Sequence, residues 1–145
     1  MRLTSDLFQD DTLIPDTYTC KGQNKSPSLQ IADIPAETVS LALILHDPDA
    51  PNGDFLHWSV WNIVPTTSTF EEGAVPTGVR QGINGFGSVG YGGPCPPSGT
   101  HRYVFDLYAL DAVLDVPEGA DWQTIENDMR SHVISTARLV GLFSA

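Results

Sequence analysis

Residues 91–105, YGGPCPPSGTHRYVF, place a run of turn-forming residues directly in front of an alternating apolar segment. Proline fixes φ and carries no backbone donor, while glycine admits left-handed conformations and close backbone approach. The pattern predicts a stiff, irregular loop held at the mouth of a strand. Residues two apart on a strand share a face, so His101 and Tyr103 point the same way and Arg102 points the other. One wall of a polar pocket is expected from His101 and Tyr103, with Arg102 in a structural ion pair outside it.

Other segments fit the same reading. Residues 40–51, SLALILHDPDAP, open as a strand too apolar for a solvent-facing sheet, and the Asp-Pro-Asp-Ala-Pro run stops it. Residues 57–64, HWSVWNIV, form a second strand rich in aromatic and β-branched side chains, and 101–111 form a third. Short apolar pieces in 3–22 suggest strands with tight turns, whereas 65–99 is a long Gly/Pro/Thr-rich excursion. One helix is predicted near the C-terminus. Asp121 is its N-cap, Ile125, Met129, His132, Val133, Thr136, Leu139 and Val140 follow at helical spacing, and Gly141 ends it. The expected domain, 1–145, is single and mainly β, with one or two helices at its edge.

Charge narrows the partners. A net charge of −11 repels phosphodiester backbones and anionic lipid, which argues against nucleic acid and membrane-surface binding. No apolar run approaches the ~20 residues needed to span a bilayer. The N-terminal MRLTSDLFQDD lacks the pattern of a signal peptide, so a cytoplasmic protein is expected. Cys20 and Cys95 are too few for a disulfide framework and lack metal-knuckle spacing; reduced thiols are expected.

Candidate chemistry clusters at strand ends: Asp47 and Asp49, then His57, then His101 with Tyr103. If the three strands are neighbours, these side chains converge. Histidines, a phenol and the backbone N–H groups of Gly92 and Gly93 would bind an anion, with Asp47 orienting one imidazole and holding its proton to higher pH. A zinc site is conceivable from two His and two Asp, but the spacings match no compact ligand motif. A hydrolase is conceivable too, yet no G-x-S-x-G elbow occurs, and Ser59 stands only two residues from His57. A small-anion pocket requires the fewest additional assumptions. Phe55, Leu56, Trp58, Trp61 and Phe86 supply aromatic and apolar bulk near the pocket loops, suited to an interface or to the space between sheets.

The stretches DPDAP at 47–51, HWSVWNI at 57–63 and GYGGPCPPSGTHRYVFDLYALD at 90–111 resemble the phosphatidylethanolamine-binding protein family, most closely its short prokaryotic, Raf-kinase-inhibitor-like branch. SPSLQIADIP at 26–35, GINGFGSVGY at 82–91 and HVISTARLVGLF at 132–143 extend the resemblance over nearly the whole chain. It implies a large antiparallel β-sheet packed with a smaller sheet, and peripheral helices including one C-terminal helix. It also implies a pocket for phosphate-type anions or phospholipid head groups, formed by Asp47, His57, His101 and Tyr103 and lined by Gly93 and Pro94. Pro48, Asp49 and Pro97 would shape that pocket. No metal or organic cofactor is implied. The reading is a non-enzymatic binding protein that forms a homodimer and modulates a kinase or protease. The rivals are an inhibitor acting mainly through its surface, and a hydrolase using Asp47, His57 and His101 as acid–base groups.

Overall fold

The structure, a computed structural model, describes residues 1–145. In chain order it contains β1 (Arg2–Thr4), β2 (Thr12–Leu13), a 3₁₀ turn at Asp16–Tyr18, β3 (Leu29–Ala32), β4 (Ser40–Asp47) and β5 (Phe55–Ile63). There follow β6 (Thr69–Phe70), β7 (Arg80–Gln81), β8 (Thr100–Leu110), α1 (Trp122–Met129), a 3₁₀ turn at Arg130–His132 and β9 (Val133–Ser144). Six strands form the large sheet in the order β2-β9-β8-β4-β5-β7, and β1-β3-β6 form the small one. Every pairing is antiparallel except β2 with β9.

The continuous apolar run of β4 follows from its place between two layers. Leu41, Leu43 and Leu45 enter a core shared with Leu29, Ile31 and Phe70 of the small sheet. Ala42 and Ile44 enter a second core closed by Ile125 and Met129 of α1. A strand covered on both faces has no polar alternation to show. Together β4, β5 and β8 put the ends of their DPDAP, FLH and THRY segments side by side.

Two expectations are corrected. The helix does begin at Asp121, whose carboxylate accepts the Thr124 N–H at 2.9 Å, but α1 ends at Met129 instead of continuing to Gly141. Beyond His132 the side chains also alternate, with Leu139, Gly141 and Phe143 buried between exposed or half-buried neighbours. Pairing with β8 from Leu110 to Thr100 settles that ambiguity in favour of a strand. Gly141 serves close packing: a Cβ there would lie 2.4 Å from Ile14 Cγ1. The long excursion 65–99 holds short elements of its own: β6, β7 and a bridge between Ile83 and Val89.

Second, Cys20 and Cys95 are joined in a disulfide rather than reduced. Seventy-five positions separate them, yet Cys20 N–H donates to the Pro94 carbonyl at 3.1 Å and Gly93 N–H to Asn24 Oδ1 at 2.8 Å. These bonds lay the two loops together and bring the Cα atoms to 5.4 Å, within bridging range.

Candidate functional site

A cavity of about 280 Å³ opens where the end of β4 meets the starts of β5 and β8. Asp47, His57, His101 and Tyr103 line it, all of them buried. Phe55, Phe86 and the loop 50–54 form one side, while Cys95, Pro96 and Pro97 form the other.

His57 owes its position to an irregularity in β5. Leu45 pairs with Trp58, but the next residue of β4, His46, pairs with Leu56, leaving His57 as the extra residue of a bulge. A bulge re-aims its side chain and is common beside binding sites. His57 Nδ1–H donates to the Gly92 carbonyl at 2.6 Å, which leaves Nε2 for the cavity. Burial lowers the His57 pKa and outweighs the opposing pull of the Gly92 carbonyl and the Asp47 carboxylate. His57 is therefore not an imidazole whose proton Asp47 holds to higher pH. Phe55, Phe86 and Tyr103 crowd the ring at centroid distances of 5.0, 5.4 and 5.3 Å, which explains the dry surroundings.

Asp47 orients the other imidazole. His101 Nδ1–H donates to Asp47 Oδ2 at 2.7 Å, while Asp47 Oδ1 accepts the Asp49 N–H at 2.8 Å. The carboxylate is thus satisfied on both oxygens, and His101 Nε2 is left for the cavity. Two residues along the same face, the Tyr103 hydroxyl is fully buried and has no well-formed hydrogen-bond partner; the Cys95 backbone lies close without completing one. Burial, reinforced by the Asp47 charge, pushes the phenol's pKa well above its usual range, so it stays an O–H donor.

The remaining expected residues have supporting positions. Gly93 and Pro94 are buried behind the wall and do not line the cavity. Their segment cannot supply free amides either: Gly92 N–H donates to the His57 carbonyl at 2.9 Å and Gly93 N–H to Asn24 Oδ1. The anticipated backbone donor array is therefore absent, because the loop is pinned from behind. Pro48 is half-buried in the turn closed by the Asp49–Asp47 bond, and Pro97 lines the mouth. Asp49 is exposed and grips Arg102, which holds the Asp49 carboxyl down at about 2. Arg102 accordingly points away from the cavity. Ser59 lies on the α1 side of β5, where its hydroxyl faces Gly82, and is no partner for His57.

Sequence reasoning passed over Asp54 and His46. Asp54 lines the cavity and bonds to His46 on the other face of the sheet. The signal was a histidine directly before DPDAP and an aspartate directly before FLHW. No three His, Cys, Asp or Glu side chains converge closely enough to hold a metal.

A family model described as phosphatidylethanolamine-binding protein matches residues 4–144. An UPF0098 protein of Methanothermobacter thermautotrophicus is 47% identical over 99% of this chain and 98% of its own. The crystal structure of a phosphatidylethanolamine-binding protein homologue from Chlamydia trachomatis superposes with a TM-score of 0.94 at 42% identity, covering 99% of this chain and 97% of that one. E. coli YbcL, described as a member of the mammalian PEBP family, gives 0.93 at 30% identity, covering 99% and 98%.

Proposed function

The chain belongs to the phosphatidylethanolamine-binding protein family, and we propose that its cavity binds a small oxyanion, such as a phosphate ester or head group, without turning it over. The observation that carries this reading is the orphaned Tyr103 hydroxyl, buried in the wall of a cavity that two imidazoles also line. A buried hydroxyl without an acceptor costs about 1–3 kcal/mol, and an oxyanion seated there removes that cost. His101 Nε2 adds a donor when the ring is protonated. Neutral His57 offers Nε2 as an acceptor, which suits the P–OH of a monoanionic phosphate. No Lys or Arg lines the cavity, so selection rests on hydrogen bonds rather than on bulk charge. A cavity this small takes a head group and leaves any acyl chain outside, at the Phe55–Phe86 mouth.

Calorimetric titration of phosphate and phosphorylethanolamine tests the reading. Saturable binding that weakens in both Tyr103→Phe and His101→Ala is the expected result; no binding to the unmodified protein would overturn it.

An acid–base reading is favoured by one contact, the 2.7 Å bond between Asp47 and His101. Against it, the cavity lining holds no serine, threonine, lysine or free thiol for an imidazole to activate. Turnover of phosphate or carboxylate esters that disappears in His101→Ala would establish it. Modulation of a kinase or protease would work through the mouth, where Phe86 is 54% exposed. Homodimer formation belongs with that reading of the surface and is checked by sedimentation. No helix is long and apolar enough to cross a membrane. The Cys20–Cys95 bridge removes one argument for a reducing cytoplasm, since disulfides persist mainly in oxidising compartments.

A further inference from the structure

The cavity wall formed by residues 48–54 is fastened to the sheet by two side-chain anchors. Near its start, Asp49 accepts three hydrogen bonds from Arg102, at 2.8, 2.9 and 3.0 Å. At its end, Asp54 reaches across to His46, whose Nδ1 lies 2.8 Å from Asp54 Oδ1. The other ring nitrogen, Nε2, lies 3.0 Å from Asp106 Oδ2, and the Trp122 ring packs against the imidazole with centroids 5.4 Å apart. The first anchor is a guanidinium that never titrates in the physiological range. The second is an imidazole.

An ionised carboxylate accepts hydrogen bonds and donates none. An imidazole that binds one through each nitrogen must therefore carry both N–H groups, which makes it a cation. We propose that His46 is a proton-dependent latch on the cavity wall, pinning Asp54 to the sheet when protonated and releasing it when the proton leaves. The order of release follows from the surroundings. The Asp106 side chain is 10% exposed and is also held by Arg138 at 2.7 and 3.1 Å, whereas the Asp54 side chain is 44% exposed. The one N–H of neutral His46 stays on Asp106, where water cannot replace it. Its Nδ1 lone pair then faces the Asp54 carboxylate, and the exposed carboxylate turns to water.

The charges around the ring agree with this. Asp54 faces it from the loop and Asp106 from β8, with Arg138 of β9 behind Asp106. His57 of β5 opposes it when charged, and Asp121 at the N-cap of α1 and Glu126 within α1 share a surface cleft with Asp54. Burial pulls the His46 pKa down, but the bonds from Asp106 and Asp54 prevail and raise it. The consequence for binding rests on the oxyanion reading: a freed Asp54 carboxylate at the mouth repels an anion, and the loosened wall no longer shapes the cavity.

An NMR titration without ligand, from about pH 5 to about pH 9, tests the latch. The His46 ring and the Gly53 and Asp54 amides should shift with one midpoint, above that of an ordinary imidazole, while the Arg102 amide does not move there. His57 titrates below the ordinary range and so stays distinguishable. In His46→Gln the Gly53 and Asp54 transition should vanish. Amides that stay flat through the His46 midpoint, or move identically in His46→Gln, would overturn the latch. If that variant does not fold, the match or mismatch of midpoints in the unmodified protein decides alone. No anion is present, so a failed latch leaves the oxyanion reading standing, and a failure of phosphate to bind leaves the latch standing.

Discussion

His101 donates to Asp47 across 2.7 Å, between residues 54 positions apart in the chain, with both side chains under 10% exposed. The contact sits where β4 ends and β8 begins, so the register that pairs His46 with Val104 also builds the floor of the cavity. Sheet pairing and site geometry are one structure here.

Removing the imidazole strands a buried carboxylate. In His101→Ala, Asp47 retains only the Asp49 amide, and unfolding free energy should fall by about 3 kcal/mol. The double variant Asp47→Asn/His101→Ala should recover part of that loss, because a neutral amide is cheaper to bury. Urea unfolding of the three proteins gives the comparison; a double variant less stable than His101→Ala contradicts it.

Gly93 acts through packing rather than through contact with a ligand. A Cβ at this position would lie 2.4 Å from Asn24 Oδ1 and 2.5 Å from the Tyr18 carbonyl. Gly93→Ala should therefore lose about 1–3 kcal/mol as the two loops are forced apart. Thermal unfolding reads this directly, and a variant as stable as the parent contradicts it.

The disulfide closes a loop of 75 positions, so its loss releases a large denatured-state entropy. Reduction, or the Cys20→Ser/Cys95→Ser variant, should cost about 2–4 kcal/mol in urea unfolding. Because Cys95 lines the cavity, phosphate affinity should fall as well. Equal stability with and without a dithiol reductant would show that the remaining backbone bonds hold the loops unaided.

Two histidines make stability depend on pH in opposite ways. The His46 pKa is raised, so its contribution is fully present below about 6.5 and is lost as pH rises through the folded value. The His57 pKa is depressed, so the folded state binds fewer protons than the unfolded one and loses stability as pH falls below the ordinary imidazole range. His46→Gln should flatten the alkaline limb of the stability profile alone. For a sulfonate of fixed charge, affinity should rise as pH falls and His57 becomes a cation. An unchanged affinity across that range would mean that His57 stays neutral when ligand binds.

Much of this was legible before the structure because the strands carry their own punctuation. The apolar run of β4 stops at DPDAP and β8 starts after GPCPPSG, so the ends that carry Asp47, His101 and Tyr103 could be placed. What stayed hidden depended on partners distant in sequence. VISTARLV carries both helical and alternating spacing, and only pairing with β8 makes it a strand. The bulge at His57 is a register shift against β4 with no local residue signature. Bonds from behind remove the Gly92 and Gly93 amides, and the Asp54–His46 contact joins opposite faces of the sheet. None of these can be read from a single segment.

The most direct test is Tyr103→Phe, measured for both stability and anion affinity. Its hydroxyl has no well-formed hydrogen-bond partner in the folded protein, so deletion should raise unfolding free energy by up to about 1–3 kcal/mol, the cost of the unpaired group. Phosphate binding should nevertheless weaken about tenfold, the loss of one hydrogen bond to a charged group. Affinity equal to that of the unmodified protein would contradict the oxyanion site.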